Sequence, residues 1–345
     1  MSRSPRRGVR HGHLGVWLSI GVVLVAALVS VLFVGSAHPA GAAQATGLIA
    51  FSRADGIYVM RTDGSGVRAL RRGFGVAGLA WSPDGRRLAF VGGTRGTIPR
   101  VGVWVMDGSG RNLKRIVDSA TVAPLGFLSW SPSGSQIVFT ASSRNDSPDA
   151  GTDLWRVNAD GSDLRRLART PGLVEVEVDC SPTGRIAVSE GFFISRLYVM
   201  NANGSNRRLV SGPLWWGEIR VEEAMPDWSP DGRKLAFARF EAFGAMTMRG
   251  QWIEMRDSDI WVMKPNGRSR VRLTKNTVMD RNPTWSPDGR QIAFIRWGGT
   301  NPESLSDTAE LFVMDADGSN VTRLTRNTVG EGSPAWQPVR GTPDT

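Results

Sequence analysis

One short motif is written six times along this chain and divides it into segments of similar length. The copies are Trp81-Ser82-Pro83-Asp84-Gly85, Trp130-Ser131-Pro132-Ser133-Gly134, Cys180-Ser181-Pro182-Thr183-Gly184, Trp228-Ser229-Pro230-Asp231-Gly232, Trp285-Ser286-Pro287-Asp288-Gly289 and a truncated Trp336-Gln337-Pro338. Their first residues lie 48 to 57 positions apart. A period of this size, carried by aromatic and turn-forming residues, marks an array of repeated β-units, either a propeller or a solenoid.

The residues after each motif separate those two architectures. Leu88-Ala89-Phe90, Ile137-Val138-Phe139, Ile186-Ala187-Val188, Leu235-Ala236-Phe237 and Ile292-Ala293-Phe294 are short apolar runs of the kind that form buried strands. A second strand comes next in every repeat, as in Val103-Trp104-Val105-Met106 and Ile260-Trp261-Val262-Met263, and ends at an Asp-Gly or Asn-Gly turn such as Asp160-Gly161 or Asn266-Gly267. With a short outer strand after that turn and the strand that enters the motif, each repeat holds four antiparallel strands, the content of a propeller blade. The ends of the array complement each other. Three strands precede the first motif (48–51, 57–60 and 67–70), and Ala335-Trp336 supplies one entering strand with nothing behind it. The expectation is an all-β, six-bladed β-propeller closed by one C-terminal and three N-terminal strands, which leaves no open sheet edge at the seam.

Trp-Ser-Pro-Asp-Gly-Arg followed by Leu/Ile-Ala-Phe, an aromatic-Val-Met strand and Asp-Gly-Ser resembles the repeat of TolB-type propellers, which are related to the N-terminal propellers of dipeptidyl-peptidase and prolyl-oligopeptidase enzymes. The resemblance implies the fold from about residue 47 to 339 and, for function, a place in an envelope assembly; fold alone does not settle activity. It is confined to the propeller, because the separate α/β domain that TolB carries ahead of it has no room here.

The N-terminus sets the expected location. Arg3, Arg6, Arg7 and Arg10 (within 1–13, read as a cytoplasmic tail) precede an uncharged apolar stretch over 14–34. That length suits a bilayer span, and it exceeds the ~7–15 residues of a signal-peptide core. The small residues Ala37, Ala40, Ala42 and Ala43 in the 35–46 linker also suit cleavage by signal peptidase. On length the uncleaved transmembrane anchor is favoured over the cleaved signal. Either way the arginines stay inside and the propeller is exported. Residues 340–345 read as a C-terminal tail.

Composition narrows the chemistry. The chain carries a net charge of +10, and removing the four tail arginines leaves +6 for the exported part. Basic charge spread through arginines favours anionic envelope polymers or headgroups. No basic block interleaved with stacking aromatics points to nucleic acid. All three histidines, His11, His13 and His38, precede the propeller, so neither a Ser-His-Asp site nor a histidine-ligated metal site can be built within it. No cofactor or metal is expected; the Asp315-to-Asn320 segment lacks the ligand spacing of a calcium loop and reads as a turn. Cys180, the one cysteine, stands in a motif Trp position and reads as a core side chain.

Two sets of candidate residues remain. Asp179 and Asp227 directly precede the motif's first residue, where the other copies have Ala80, Ser129, Thr284 and Ala335. They are weak catalytic candidates for a glycosidase-like acid and base in the central channel, against a structural role in capping turns or meeting arginines. The second set lies on long irregular segments expected at 141–152, 211–224, 240–258 and 296–308, all on the blade face opposite the Ser-Pro-Asp-Gly turns. Trp215, Trp216, Trp252 and Trp297, with Glu222, Glu223, Arg249 and Arg256, are tryptophans and charges the repeat does not explain. Aromatics beside charges suit a protein or glycan surface, against the alternative that the loops bury their own tryptophans. The reading is a non-enzymatic binding propeller of the cell envelope, with envelope proteins or cell-wall glycan as partners; the alternative is a glycan hydrolase working in the channel.

Overall fold

The computed structural model describes residues 47–338 except 98, 144–150, 169–174, 192–194, 213–214, 217–218, 244–254 and 298–308. The expected N-terminal helix over 14–34 lies outside the described residues. Strands β1 (Leu48–Arg53), β2 (Gly56–Arg61) and β3 (Arg68–Arg72) come first. The next sheet runs β4 (Phe74–Trp81), β5 (Arg87–Thr94), β6 (Val101–Asp107), β7 (Lys114–Asp118). It is followed by β8 (Val122–Trp130), β9 (Gln136–Ser143), β10 (Asp153–Asn158) and β11 (Arg165–Ala168), then by β12 (Glu175–Cys180), β13 (Arg185–Glu190), β14 (Arg196–Asn201) and β15 (Arg208–Leu209). A nine-stranded sheet holds β16 (Trp215–Trp216), β17 (Ile219–Trp228), β18 (Leu235–Phe243), β19 (Met255–Met263) and β20 (Val271–Arg272), and then β21 (Met279–Trp285), β22 (Gln291–Trp297), β23 (Ala309–Asp315) and β24 (Thr322–Arg323). Its two halves are joined in the strand ladder by the parallel bridge between Ser258 and Met279. Finally β25 (Glu331–Trp336) pairs antiparallel with β1, giving the order β25-β1-β2-β3. The arrangement is an all-β propeller, with the strand that enters each motif innermost apart from the two-residue β16 on the edge of β17.

The repeated residues explain the repeated geometry. Phe51, Phe90, Phe139, Phe237 and Phe294 occupy one repeat position and are fully buried, each contributing roughly 2–3 kcal/mol of apolar burial. The motif tryptophans lie between neighbouring blades. Trp130 Nε1 donates to Ala80 O at 3.0 Å and Trp336 Nε1 to Thr284 O at 3.0 Å, each reaching the preceding inner strand. Arg87 and Arg185 sit 4.6 and 4.7 Å over Trp130 and Trp228, while Arg87 Nη2 donates to Gly134 O and Arg185 Nη2 to Gly232 O in the following turn.

Both turn types are held from within. Ser82 Oγ donates to Asp84 Oδ1 at 2.6 Å and accepts from Arg87 N at 2.9 Å, a pattern repeated at Ser229–Asp231 and Ser286–Asp288. Gly85, Gly232 and Gly289 adopt φ of 65°, 66° and 69°, the left-handed region where glycine has no steric penalty. In the second turn Asp317 Oδ1 accepts from Ser319 N and Oγ, and Asn320 Nδ2 donates to Asp315 Oδ2 at 2.6 Å. The carboxylates of the 315–320 segment are thus spent on an ordinary turn.

Candidate functional site: the channel and the long-loop face

The inner strands β4, β8, β12, β17, β21 and β25 surround a central channel of about 480 Å³. Every one of them carries a register shift just upstream of its motif, at 76/78, 124/128, 175/178, 224/227 and 281/284, with the partner shift at 50/52 against β25. Such bulges turn the free edge of the strand and re-aim its side chains. Met225, Asn282 and Ser333 take φ of 58°, 53° and 45° there, each followed by proline (Pro226, Pro283, Pro334). Proline lacks the N–H that a ladder needs and is tolerated at a bulge or an edge. Repeat periodicity alone does not reveal this feature, although a proline two residues before a motif tryptophan is its visible signal.

Asp179 and Asp227 lie immediately below the bulge ring, and their oxygens are occupied. Asp179 Oδ2 accepts from Trp228 N at 2.7 Å, and Oδ1 accepts from Ser129 Oγ at 2.8 Å and Cys180 N at 2.9 Å. Asp227 Oδ2 accepts from Trp285 N at 2.7 Å, and the Thr284 hydroxyl also bonds it. Each carboxylate therefore reaches the main chain of the next inner strand, satisfying N–H groups on an edge that has no further ladder partner. Among the described residues they neither cap turns nor meet arginines. Burial pushes Asp179 up to about 6. Asp227 is raised well above the carboxylate range by burial and then by the charge of Asp179. Glu177, at the bulge position of β12, is raised to about 7 by burial, with the Ser189 hydroxyl donating to it. Cys180 is a free, half-buried thiol on the channel wall whose pKa burial raises. Among the described residues no group of three His, Cys, Asp or Glu side chains is placed to hold a metal ion.

On the opposite side of the blades the structure redraws the long segments. Residues 219–224 of the expected 211–224 loop are strand, part of β17, while β18 continues to Phe243 and β22 to Trp297. The expectation that Glu222 and Glu223 belong to a partner-binding surface on a long loop is therefore corrected: they lie on β17, 7% and 2% exposed. Arg270 Nη1 meets Glu223 Oε1 at 2.5 Å, and Arg239 Nη1 approaches it at 3.7 Å; a carboxylate this deep is held by ion pairs and hydrogen bonds rather than offered to a partner. Trp297 is half-buried at the end of β22, packed against the core shared with β1 and β2. Trp215 and Trp216 form β16, which pairs with Ile219 and Arg220 on the inner edge of β17; their side chains, and that of Arg256 on β19, lie outside the described residues, as do Arg249 and Trp252 entirely. Of the predicted surface set, none is brought together with another by a described side-chain contact.

No protein-family model matches the chain. Curated relatives are similar over parts of it. The Tol-Pal system protein TolB of Anaeromyxobacter dehalogenans is 30% identical over 192 residues, 52% of this chain and 36% of that protein. An uncharacterized peptidase, YuxL of Bacillus subtilis, is 28% identical over 113 residues, 33% of this chain and 15% of its own. The chain thus spans well under two thirds of the length of these relatives. Among solved structures, TolB from Acinetobacter baumannii superposes with a TM-score of 0.65 at 18% identity, covering 85% of this chain and 67% of that one. In fold, the chain is a TolB-like β-propeller.

Proposed function

We propose that this chain is a six-bladed, extracytoplasmic binding and scaffold propeller of the cell envelope, tethered by residues 14–34 and taking protein or glycan partners on its long-loop face. The blade count takes the halves of the nine-stranded sheet as two blades and β25-β1-β2-β3 as the closing one. The observation that carries a non-enzymatic reading is the commitment of the channel carboxylates. Glycoside hydrolysis needs two carboxyl groups free to face the sugar, whereas Asp179 and Asp227 are bonded to the main chain at Trp228 and Trp285. Similarity to Tol-Pal system proteins supports a place in a multiprotein system. The test is capture from envelope extract by the detergent-solubilised full chain, beside a variant with Trp215, Trp216 and Trp252 changed to Ala. A partner held by the first and lost by the second supports the reading; equal capture by both removes those tryptophans from it.

One observation favours the alternative. Glu177 and Asp179 have pKa values raised to about 7 and 6 on the wall of a roomy channel, and raised carboxyl groups beside a cavity are what a general acid requires. Glycan cleavage by the purified chain, abolished in Asp179→Asn and Asp227→Asn with the fold intact, would establish it.

A further inference from the structure

The position four residues before each motif's first residue holds Ala77, Gly126, Val176, Ala224 and Gly332 in five copies, so the fold asks there for a small or apolar side chain. In the remaining copy it is Arg281. A second departure occurs in the same blade: the position of Trp297 is Ala54, Gly93, Ser142, Gly191 and Phe240 in the others. The two exceptions meet. The Arg281 guanidinium carbon lies 4.0 Å from the centroid of the Trp297 ring.

This arginine is placed unlike its neighbours. Arg53, Arg270 and Arg296 are paired with Glu331, Glu223 and Asp280. Among the described residues Arg281 has no carboxylate partner; its Nε is buried without an acceptor, and Nη2 touches only Met279 Sδ at 4.0 Å. Withdrawal from water alone lowers its pKa to about 10. A guanidinium partly withdrawn from water without a counter-charge is costly to the fold, and stacking on an indole face recovers only part of that cost. It does, however, fix the guanidinium in one orientation while leaving the terminal nitrogens free to donate.

We propose that Arg281, backed by Trp297, is an anion-recognition point on the long-loop face that takes a carboxylate of a protein partner. Arg281 sits two residues from the start of β21, at the end away from the motif turn, and Trp297 ends β22 at the same side. The planar fork of the terminal nitrogens matches a single carboxylate. A peptide carboxylate fits better than an acidic sugar, because the Trp297 ring on which a sugar would stack is already engaged by Arg281 and packs against the core of the closing blade. The proposal rests on the long-loop face being the docking face and names the chemistry recognised there.

The test uses the detergent-solubilised full chain and a labelled, end-capped tetraglutamate peptide, with tetraglutamine and trigalacturonate as comparison probes. Tetraglutamate binding that weakens with salt, falls at least tenfold in Arg281→Leu and is absent for tetraglutamine is the expected result, with Arg281→Leu melting at or above the wild-type temperature. Equal binding by Arg281→Leu, equal binding of tetraglutamine, or tighter binding of trigalacturonate overturns the site, and so does a fall of more than about 5 °C in the melting temperature of Arg281→Leu, since the charge would then serve the fold. An envelope partner still captured by Arg281→Leu, without tetraglutamate binding, sinks this site and leaves the broader binding role standing. No capture by the wild type sinks that role, and the peptide titration still decides the site.

Discussion

From Ser129 through Asp179 and Asp227 to Thr284 the ring around the channel is polar, and from Ala335 to Ala80 it is not. Both arcs face the same difficulty, because an innermost strand shows one edge to the channel and its main-chain polar groups need partners. The polar arc answers with side chains that cross to the next blade, Asp179 to Trp228 N and Asp227 to Trp285 N. The apolar arc answers with close approach and with the chain ends. A Cβ placed on Gly78 would lie 2.0 Å from Gly126 O, Ser333 Oγ donates to Ala77 O at 2.8 Å, and Gln337 joins Leu48 and Gly85. Blades that are covalently consecutive can be stitched by buried carboxylates. The seam between the two ends of the chain combines backbone fit and neutral hydrogen bonds with one ion pair, Arg53 on β1 to the buried Glu331 on β25 at 2.8 Å.

Breaking the apolar arc carries the largest expected effect. Gly78→Ala forces the backbones of β4 and β8 apart and should cost about 3 kcal/mol, read from denaturant unfolding; a loss under 0.5 kcal/mol would show that the approach is not tight. In the polar arc Asp179→Ala takes the acceptor from the Trp228 amide and from the Ser129 hydroxyl and should cost about 2 kcal/mol. If Asp179→Ala were neutral, the carboxylate would not be a stitch between blades.

Acid–base behaviour distinguishes the arcs next. Glu177 and Asp179 have folded pKa values near 7 and 6, above those of unfolded carboxyl groups. Their protonated forms are favoured in the fold, so this contribution is complete below about pH 4 and is lost as pH rises through 6 to 7. Turn carboxylates act in the opposite sense: the Ser229 hydroxyl holds Asp231 below its ordinary value, and that contribution is lost as the pH falls below about 4. The melting temperature should therefore peak in mild acid and decline toward pH 8, with Glu177→Gln flattening the decline. A melting temperature rising steadily from pH 5 to 8 would contradict the assignment. The smallest effect is expected at the seam, where Gln337→Ala removes two side-chain hydrogen bonds and should cost about 1 kcal/mol, with an accompanying rise in proteolysis near both ends of the array.

Much of the candidate site was hidden for a definable reason. The segment 211–224 reads as loop because Ser211, Gly212, Pro213, Gly217 and Glu218 interrupt it. Yet residues from Ile219 onward are recruited into β17 by pairing with β18, a tertiary override of weak local preference. That recruitment took Glu222 and Glu223 inward, where the partner of Glu223 is Arg270, 47 residues further along. Asp179 and Asp227 were recognisable as exceptions to the repeat, but their acceptor role was not, since their partners lie 49 and 58 residues away in the next blade.

By itself the sequence determined the repeating unit. The spacing of the motifs, the buried Leu/Ile-Ala-Phe-type strands, and the Ser-Pro-Asp-Gly and Asp-Gly-Ser types of turn come from local rules of strand alternation and turn chemistry, which act within a few residues and recur, with substitutions, from copy to copy. Only the tertiary structure decided what the exceptions do. The bulge ring, the carboxylate stitches across the polar arc and the meeting of Arg281 with Trp297 depend on which atoms neighbouring strands bring within a few ångströms, and packing across and between blades settles that rather than any period along the chain.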